Sequence, residues 1–196
     1  MATSSKKTSR KKTTAKGKGR SNSKKERASA DAIALLKADH REVEGLFAQF
    51  EKARSDDRKA TLAQKICAAL SAHTTIEEEI FYPAFLKATE EDDIHHEAEV
   101  EHNGAKNLIA QIEGSGPDDE YYDAKVTVLS EMIKHHVKEE EQRGGMFAKA
   151  RESEMDLEAL GAQMQTRKEQ LMGEDGGGRK AKPRSLLFRV LGRRDP

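Results

Sequence analysis

Histidine and glutamate recur in this chain at positions that would place them on the buried faces of helices. Read in steps of three and four residues, four apolar stripes each contain one histidine. The first is Ile33, Leu36, His40, Val43, Phe47 and Phe50, and the second is Leu62, Ile66, Ala69, His73, Glu77, Ile80 and Ala84. The third is Ala98, His102, Ala105, Ile109 and Ile112, and the fourth is Val126, Leu129, Ile133, His136 and Glu140. Residues at this spacing share one face of an α-helix, and the apolar face is the one a helix packs against its neighbours. Unpaired imidazoles and carboxylates on such a face cost several kcal/mol each. A bound metal removes that cost.

His73 and Glu77, like His136 and Glu140, stand four residues apart, one helical turn, so each pair can reach a single ion. His40 and His102 complete a set of four nitrogen donors and two carboxylates. Each carboxylate has two oxygens and can bridge, so the set suits two metal ions roughly 3.5–4 Å apart. Imidazole with carboxylate suits iron, manganese or zinc. Two iron ions are the expected cofactor, with zinc or manganese as the lesser alternatives. Six protein donors shared by two ions leave coordination positions open for dioxygen, peroxide or nitric oxide.

A lone histidine on an apolar face is usually a core residue with an ordinary hydrogen-bond partner. It is the coincidence of four such residues with two in-phase glutamates that points to metal. His135 falls off the shared face, as do Glu78, Glu79, Glu139 and Glu141, and these are expected to support the ligands or face solvent. Glu44 forms a third pair at i, i+4 with His40, but Val43 and Phe47 define that buried face more closely. His95 and His96 lie near a helix end, about two turns or 10.5 Å from His102, and are read as boundary residues.

Four rods must position these donors. Helix one is expected from Ala30–Asp31 to Arg54 and helix two from Ser55–Asp57 to Glu90, with Pro83 kinking or ending it. Helix three spans Asp92 to Glu113 before the breaker Gly114-Ser115-Gly116-Pro117. Helix four starts near Asp118–Asp119 and reaches Gln142, where Gly144-Gly145 loosens it. An amphipathic piece around Met155 to Met172 follows. The fold class is therefore all-α: an antiparallel up-down four-helix bundle with an extra C-terminal helix and disordered basic tails.

In domain terms, residues 1–29 form a basic tail, 30–150 the metal-binding bundle, 151–172 an accessory helix and 173–196 a flexible basic tail. Charge is segregated accordingly. The first thirty residues carry a net +10 and the last eighteen +6, and since the whole sums to zero the body carries −16. The tails can neutralise phosphates, which makes nonspecific nucleic acid a candidate partner for residues 1–29. That tail has no aromatic residue for base stacking. Cys67 is the only cysteine, which excludes an intrachain disulfide or a cysteine-rich zinc site, and it reads as a small core residue. No run approaches the ~20 apolar residues that span a bilayer, and no apolar signal segment opens the chain. A cytoplasmic setting is expected.

Asp39-His40, His73-x-x-x-Glu77-Glu78 ending in Phe81-Tyr82-Pro83, Glu101-His102, and His135-His136-x-x-x-Glu140-Glu141 together resemble the hemerythrin-like HHE cation-binding domains. The resemblance covers residues 30 to 150. It implies a four-helix bundle with a non-haem, oxo- or hydroxo-bridged di-iron site, and assigns His40, His73, Glu77, His102, His136 and Glu140 as its ligands. The chain departs from the oxygen-carrying hemerythrins at two points. Lys106 stands where they place a second histidine, and Glu140 stands one residue short of their closing aspartate. Reversible oxygen carriage by a five-histidine site is thus not expected. The functions implied are binding of, or response to, dioxygen, peroxide or nitric oxide. The alternative is an iron or metal sensor or storage module without turnover, coupled to nucleic acid through the tails. No Ser/His/Asp or Cys/His nucleophile arrangement is present, so any catalysis belongs to the metal.

Overall fold

The computed structural model describes residues 30–175, besides Met1. The expected basic tails lie outside the described residues, except for the start of the C-terminal one. Among the described residues every regular element is helical. They are α1 (Ala32–Lys52), α2 (Asp56–Ile76), a π-helical turn (Glu77–Phe81), α3 (Tyr82–Thr89), α4 (Asp92–Glu113), α5 (Tyr122–Glu141), α6 (Met146–Glu152) and α7 (Leu157–Asp175). None of the described helices is long and apolar enough to cross a membrane.

Local chemistry sets the ends. Asp31 is the residue before α1 rather than part of its first turn, and its carboxylate accepts from the Ala34 amide at 2.7 Å. Ser55 holds the corresponding place before α2, without a side-chain cap, while Asp56 and Asp57 in the first turn complement the helix dipole. Pro83 does not end the second rod, because its missing N–H is absorbed by the π turn. The Tyr82 amide reaches back to the Glu77 carbonyl, and the helix resumes to Thr89. The extra residue in that turn shifts the phase by one. The stripe expected to continue through Ile80 and Ala84 instead buries Phe81, Tyr82 and Phe85. Helix α5 begins at Tyr122, later than the acidic residues that suggested its start. Gly144, at φ 79°, turns the chain into α6, an element without a sequence signal of its own.

The apolar interior falls into two clusters. One contains Val43, Phe47, Leu70, Ala105 and Ile133, and the other Leu36, Ile76, Phe81, Ala98 and Phe147. Along α1, His40 lies between Leu36 of the second cluster and Val43 of the first; along α4, His102 lies between Ala98 and Ala105. His73 occupies the same place between Leu70 and Ile76 on α2. The histidines thus form a polar layer clamped between two apolar ones, each large side chain contributing about 1.5–3 kcal/mol. Cys67 is buried in the first cluster, and burial, with Glu113 nearby, pushes its thiol up to about 12.

Helix α7 closes against the start of α1. Met164 is fully buried, and Gly161 sits so close that an added Cβ would lie 2.3 Å from the Ala30 carbonyl oxygen and 2.8 Å from the Ala32 nitrogen. Backbone atoms cannot yield as a flexible side chain does. Gly161→Ala is therefore expected to force α7 outward and cost about 1–3 kcal/mol, as overpacking does. Urea unfolding of the metal-free protein checks this; an unchanged midpoint would mean α7 does not dock as described.

Candidate metal centre

The four rods bring the six donors into one buried layer, each at most 5% exposed. His40 and His73 face each other with Nε2 atoms 3.2 Å apart, and His102 and His136 do the same at 3.3 Å. The two carboxylates span the pairs. Glu77 Oε2 lies 3.2 Å from His73 Nε2 and 3.3 Å from His102 Nε2. Glu140 Oε2 lies 3.3 Å from His40 Nε2 and 3.6 Å from His136 Nε2. Two groups of mutually adjacent donor atoms result: His40, His73, Glu77 and Glu140, and Glu77, His102 and His136, with Glu77 common to both.

This arrangement fits metal better than it fits a hydrogen-bonded core. Both Glu77 oxygens and Glu140 Oε2 are buried without a hydrogen-bond partner. An orphaned buried polar atom costs about 1–3 kcal/mol and more when charged. Nitrogen and carboxylate oxygen converging from several helices is also the donor chemistry of transition-metal sites.

Behind each imidazole stands a further carboxylate. His40 Nδ1 lies 2.8 Å from Glu141, His102 Nδ1 lies 2.9 Å from Glu78, and His136 Nδ1 lies 2.8 Å from Glu101. His73 Nδ1 lies 3.5 Å from Asp39. The pattern closes on itself. Asp39 of α1 backs the histidine of α2, Glu78 that of α4, Glu101 of α4 that of α5, and Glu141 of α5 that of α1. Such carboxylates fix ring orientation and tautomer and raise ligand basicity. Cations complete the layer: Lys168 binds Asp39, Lys106 binds Glu78, and Arg41 and Lys37 meet Glu141. Lys106 is thus an ion-pair partner at the place where oxygen carriers have a histidine.

Sequence reasoning left the roles of Asp39 and Glu101 open, although each precedes a donor in the chain, and that adjacency was the available signal. It passed over Tyr82 as a site residue. The Tyr82 side chain is buried by the π turn, and its hydroxyl lies 3.2 Å from His102 Nε2 and donates to Glu140 Oε1 at 3.5 Å. Burial, then Glu77 and Glu140, push its pKa well above the usual phenol value, so it keeps its proton. Glu44 is not brought to the centre but pairs with Arg41. His95 packs edge-on to the Tyr82 ring at 5.5 Å, His96 lies beyond it, and His135 is exposed.

Burial disfavours charge on His73, but Glu77 and Asp39 outweigh it and raise the imidazole to about 10. Burial likewise works against His136, while Glu140 and Glu101 raise it to about 9. Glu77, despite burial, is held well below the usual carboxylate range by His73 and His102. In the metal-free protein, protons therefore supply the positive charge. A raised folded-state pKa gives stability that is complete below the unfolded value of about 6.5 and lost as pH climbs through the folded one. We expect the urea midpoint of metal-free protein to fall between pH ~6.5 and the folded values of about 9 and 10. A flat or rising midpoint across that window contradicts the assignment.

A cavity of about 20 Å³ adjoins the histidines, walled by Val43, Leu70, Ile133 and Val137. That volume admits one water-sized molecule. Phe147 of α6 stacks on His40 at 5.8 Å and meets Phe81 edge-on, covering the His40 side of the layer.

The Hemerythrin HHE cation binding domain family matches residues 31–147. Among solved structures, the chain is similar to a Hemerythrin HHE cation binding domain-containing protein from Mycobacterium kansasii, with 23% identity and a TM-score of 0.64. That likeness covers 74% of this chain and 89% of the other, and it bears on the fold alone. Over 107 residues the chain is 27% identical to a DNA nickase of Nostoc sp. (strain PCC 7120), a match covering 55% of this chain. It spans 30% of that protein's length.

Proposed function

The chain belongs to the hemerythrin HHE cation-binding family, and from that premise we propose that it holds two iron ions and binds or responds to dioxygen, peroxide or nitric oxide. The observation that carries this reading is the pair of facing imidazole couples spanned by two carboxylates, with both Glu77 oxygens and Glu140 Oε2 lacking a hydrogen-bond partner. His40 and His73 would hold one ion, His102 and His136 the other, and Glu77 and Glu140 would bridge. The rods α1, α2–α3, α4 and α5 act as an antiparallel up-down bundle within residues 30–150, and α7 is the accessory helix.

An iron pair, when bound, supplies redox change and the coordination positions that six protein donors leave open. The chain supplies the rest. Asp39, Glu78, Glu101 and Glu141 orient the imidazoles and hold them as ligands. Phe81 and Phe147 keep water from the His40 side, and the cavity beside Val43 and Leu70 has room only for a molecule of a few atoms. Tyr82 keeps a proton at Oη, directed at Glu140 and available as a hydrogen bond to whatever occupies the interior. Optical spectra of iron-loaded protein before and after exposure to dioxygen, peroxide and nitric oxide test this. A change with at least one of them is expected; a spectrum indifferent to all three removes this reading.

A second reading is a metal sensor or storage module coupled to nucleic acid. It is motivated by the likeness to a DNA nickase and by the +10 charge of residues 1–30. Under this reading metal-free and loaded protein differ in affinity for a DNA fragment, and affinity falls steeply with salt. Equal binding by the two forms counts against it.

A further inference from the structure

We propose that Glu101, His135 and Glu139 form a second, solvent-facing cation site that takes up a divalent metal and passes it to the buried centre. The inference rests on the reading of that centre as a metal site.

His135 Nε2 lies 3.4 Å from Glu101 Oε1 and 3.3 Å from Glu139 Oε1, and single donor atoms from the three residues lie within 4.8 Å of one another. The i, i+4 spacing of His135 and Glu139 repeats on the outer face of α5 what His136 and Glu140 do on its inner face. Imidazole with two carboxylates suits zinc, iron or manganese. The site is open, with the His135 side chain 59% exposed.

Two further observations connect this cluster to the interior. Glu101 serves both sides, because its second oxygen, Oε2, lies 2.8 Å from His136 Nδ1. A cavity of about 110 Å³ between α4 and the α5–α6 junction is lined by Glu97, Glu101 and Glu139 towards its outer end, and by His136 and Glu140 within. Glu140 is 2% exposed, and its Oε2 has no hydrogen-bond partner. A cation leaving the outer cluster thus finds the carboxylates of Glu97, Glu101 and Glu139 on a wall shared with Ile94, Ala98 and Met146, and the unsatisfied Glu140 oxygen at its end. Carboxylates lining a low-dielectric cleft concentrate cations there. Phe147 and the apolar clusters close their own sides of the layer, which no hydrated ion crosses cheaply.

The test uses the full chain and the variant His135→Ala/Glu139→Gln, which leaves Glu101 in place to hold His136. Equilibrium dialysis of iron-loaded protein against Zn(II), with iron content checked, should show wild type taking up one more zinc per chain than the variant. Stopped-flow loading of metal-free protein with Fe(II) should be about tenfold slower in the variant, the low end of what charge focusing in a cleft adds to an on-rate. Both proteins should reach the same final iron content. Equal zinc uptake by the two proteins overturns the proposal, and so do equal loading rates. Failure of the buried centre itself would look different, with neither protein retaining iron at all.

Discussion

Replacing Glu77 by glutamine is expected to abolish retention of both ions, not one. Glu77 is fully buried, and its Oε2 stands within 3.3 Å of one imidazole from each facing couple. It is the residue common to the two donor groups. Glutamine keeps the shape but offers a neutral carbonyl and an NH₂ where an anionic bridge is needed. Partners behind a ligand are worth about 10–100-fold in metal affinity, so loss of a bridging ligand should cost at least about 100-fold. The same substitution removes the largest influence raising His73, so the decline in metal-free stability from about pH 6.5 upward should flatten. Glu79→Gln is the matched control, because Glu79 is exposed and paired with Arg167. Iron analysis after reconstitution decides between outcomes. Two ions per chain in the Glu77 variant would sink the bridging role.

Metal loading is expected to raise the thermal midpoint by roughly 8–16 °C at a free concentration about 1,000 times the dissociation constant. This follows from about 4.1 kcal/mol of linkage and roughly 2–4 °C per kcal/mol at this chain length. The donors come from α1, the α2–π rod, α4 and α5, so no unfolded form presents them together. Metal binding free energy is then largely folding free energy. A chelator should reverse the shift. Scanning calorimetry with and without iron checks it, and coincident transitions would show that the layer is satisfied without metal.

The convergence of the six proposed ligands was legible because they obey the same period as the apolar residues beside them. His40 falls in step with Leu36 and Val43, and His136 with Ile133, so burial of the stripe carries the imidazole inward. What escaped was whatever depends on a broken period or on a distant partner. The π turn before Pro83 exchanges Ile80 and Ala84 for Phe81 and Phe85, and only the three-dimensional path of the backbone reveals the extra residue. That same turn carries the Tyr82 hydroxyl to His102. Asp39, Glu78, Glu101 and Glu141 each back an imidazole on a different helix, a relation that no single stripe encodes. Lys168 reaches Asp39 from α7, a helix beyond the residues that match the family. The Gly144-Gly145 pair was visible as a break, while the short α6 that follows it owes its place to Met146 and Phe147 packing on the second cluster. In each case the cause is tertiary packing rather than local propensity.

Anaerobic reconstitution with Fe(II), followed by iron analysis and X-ray absorption on the same sample, tests the central arrangement most directly. Two iron ions per chain and an iron–iron vector of roughly 3.5–4 Å are predicted. A single ion per chain, or two ions without mutual scattering at that distance, would contradict a centre in which Glu77 and Glu140 span both imidazole couples.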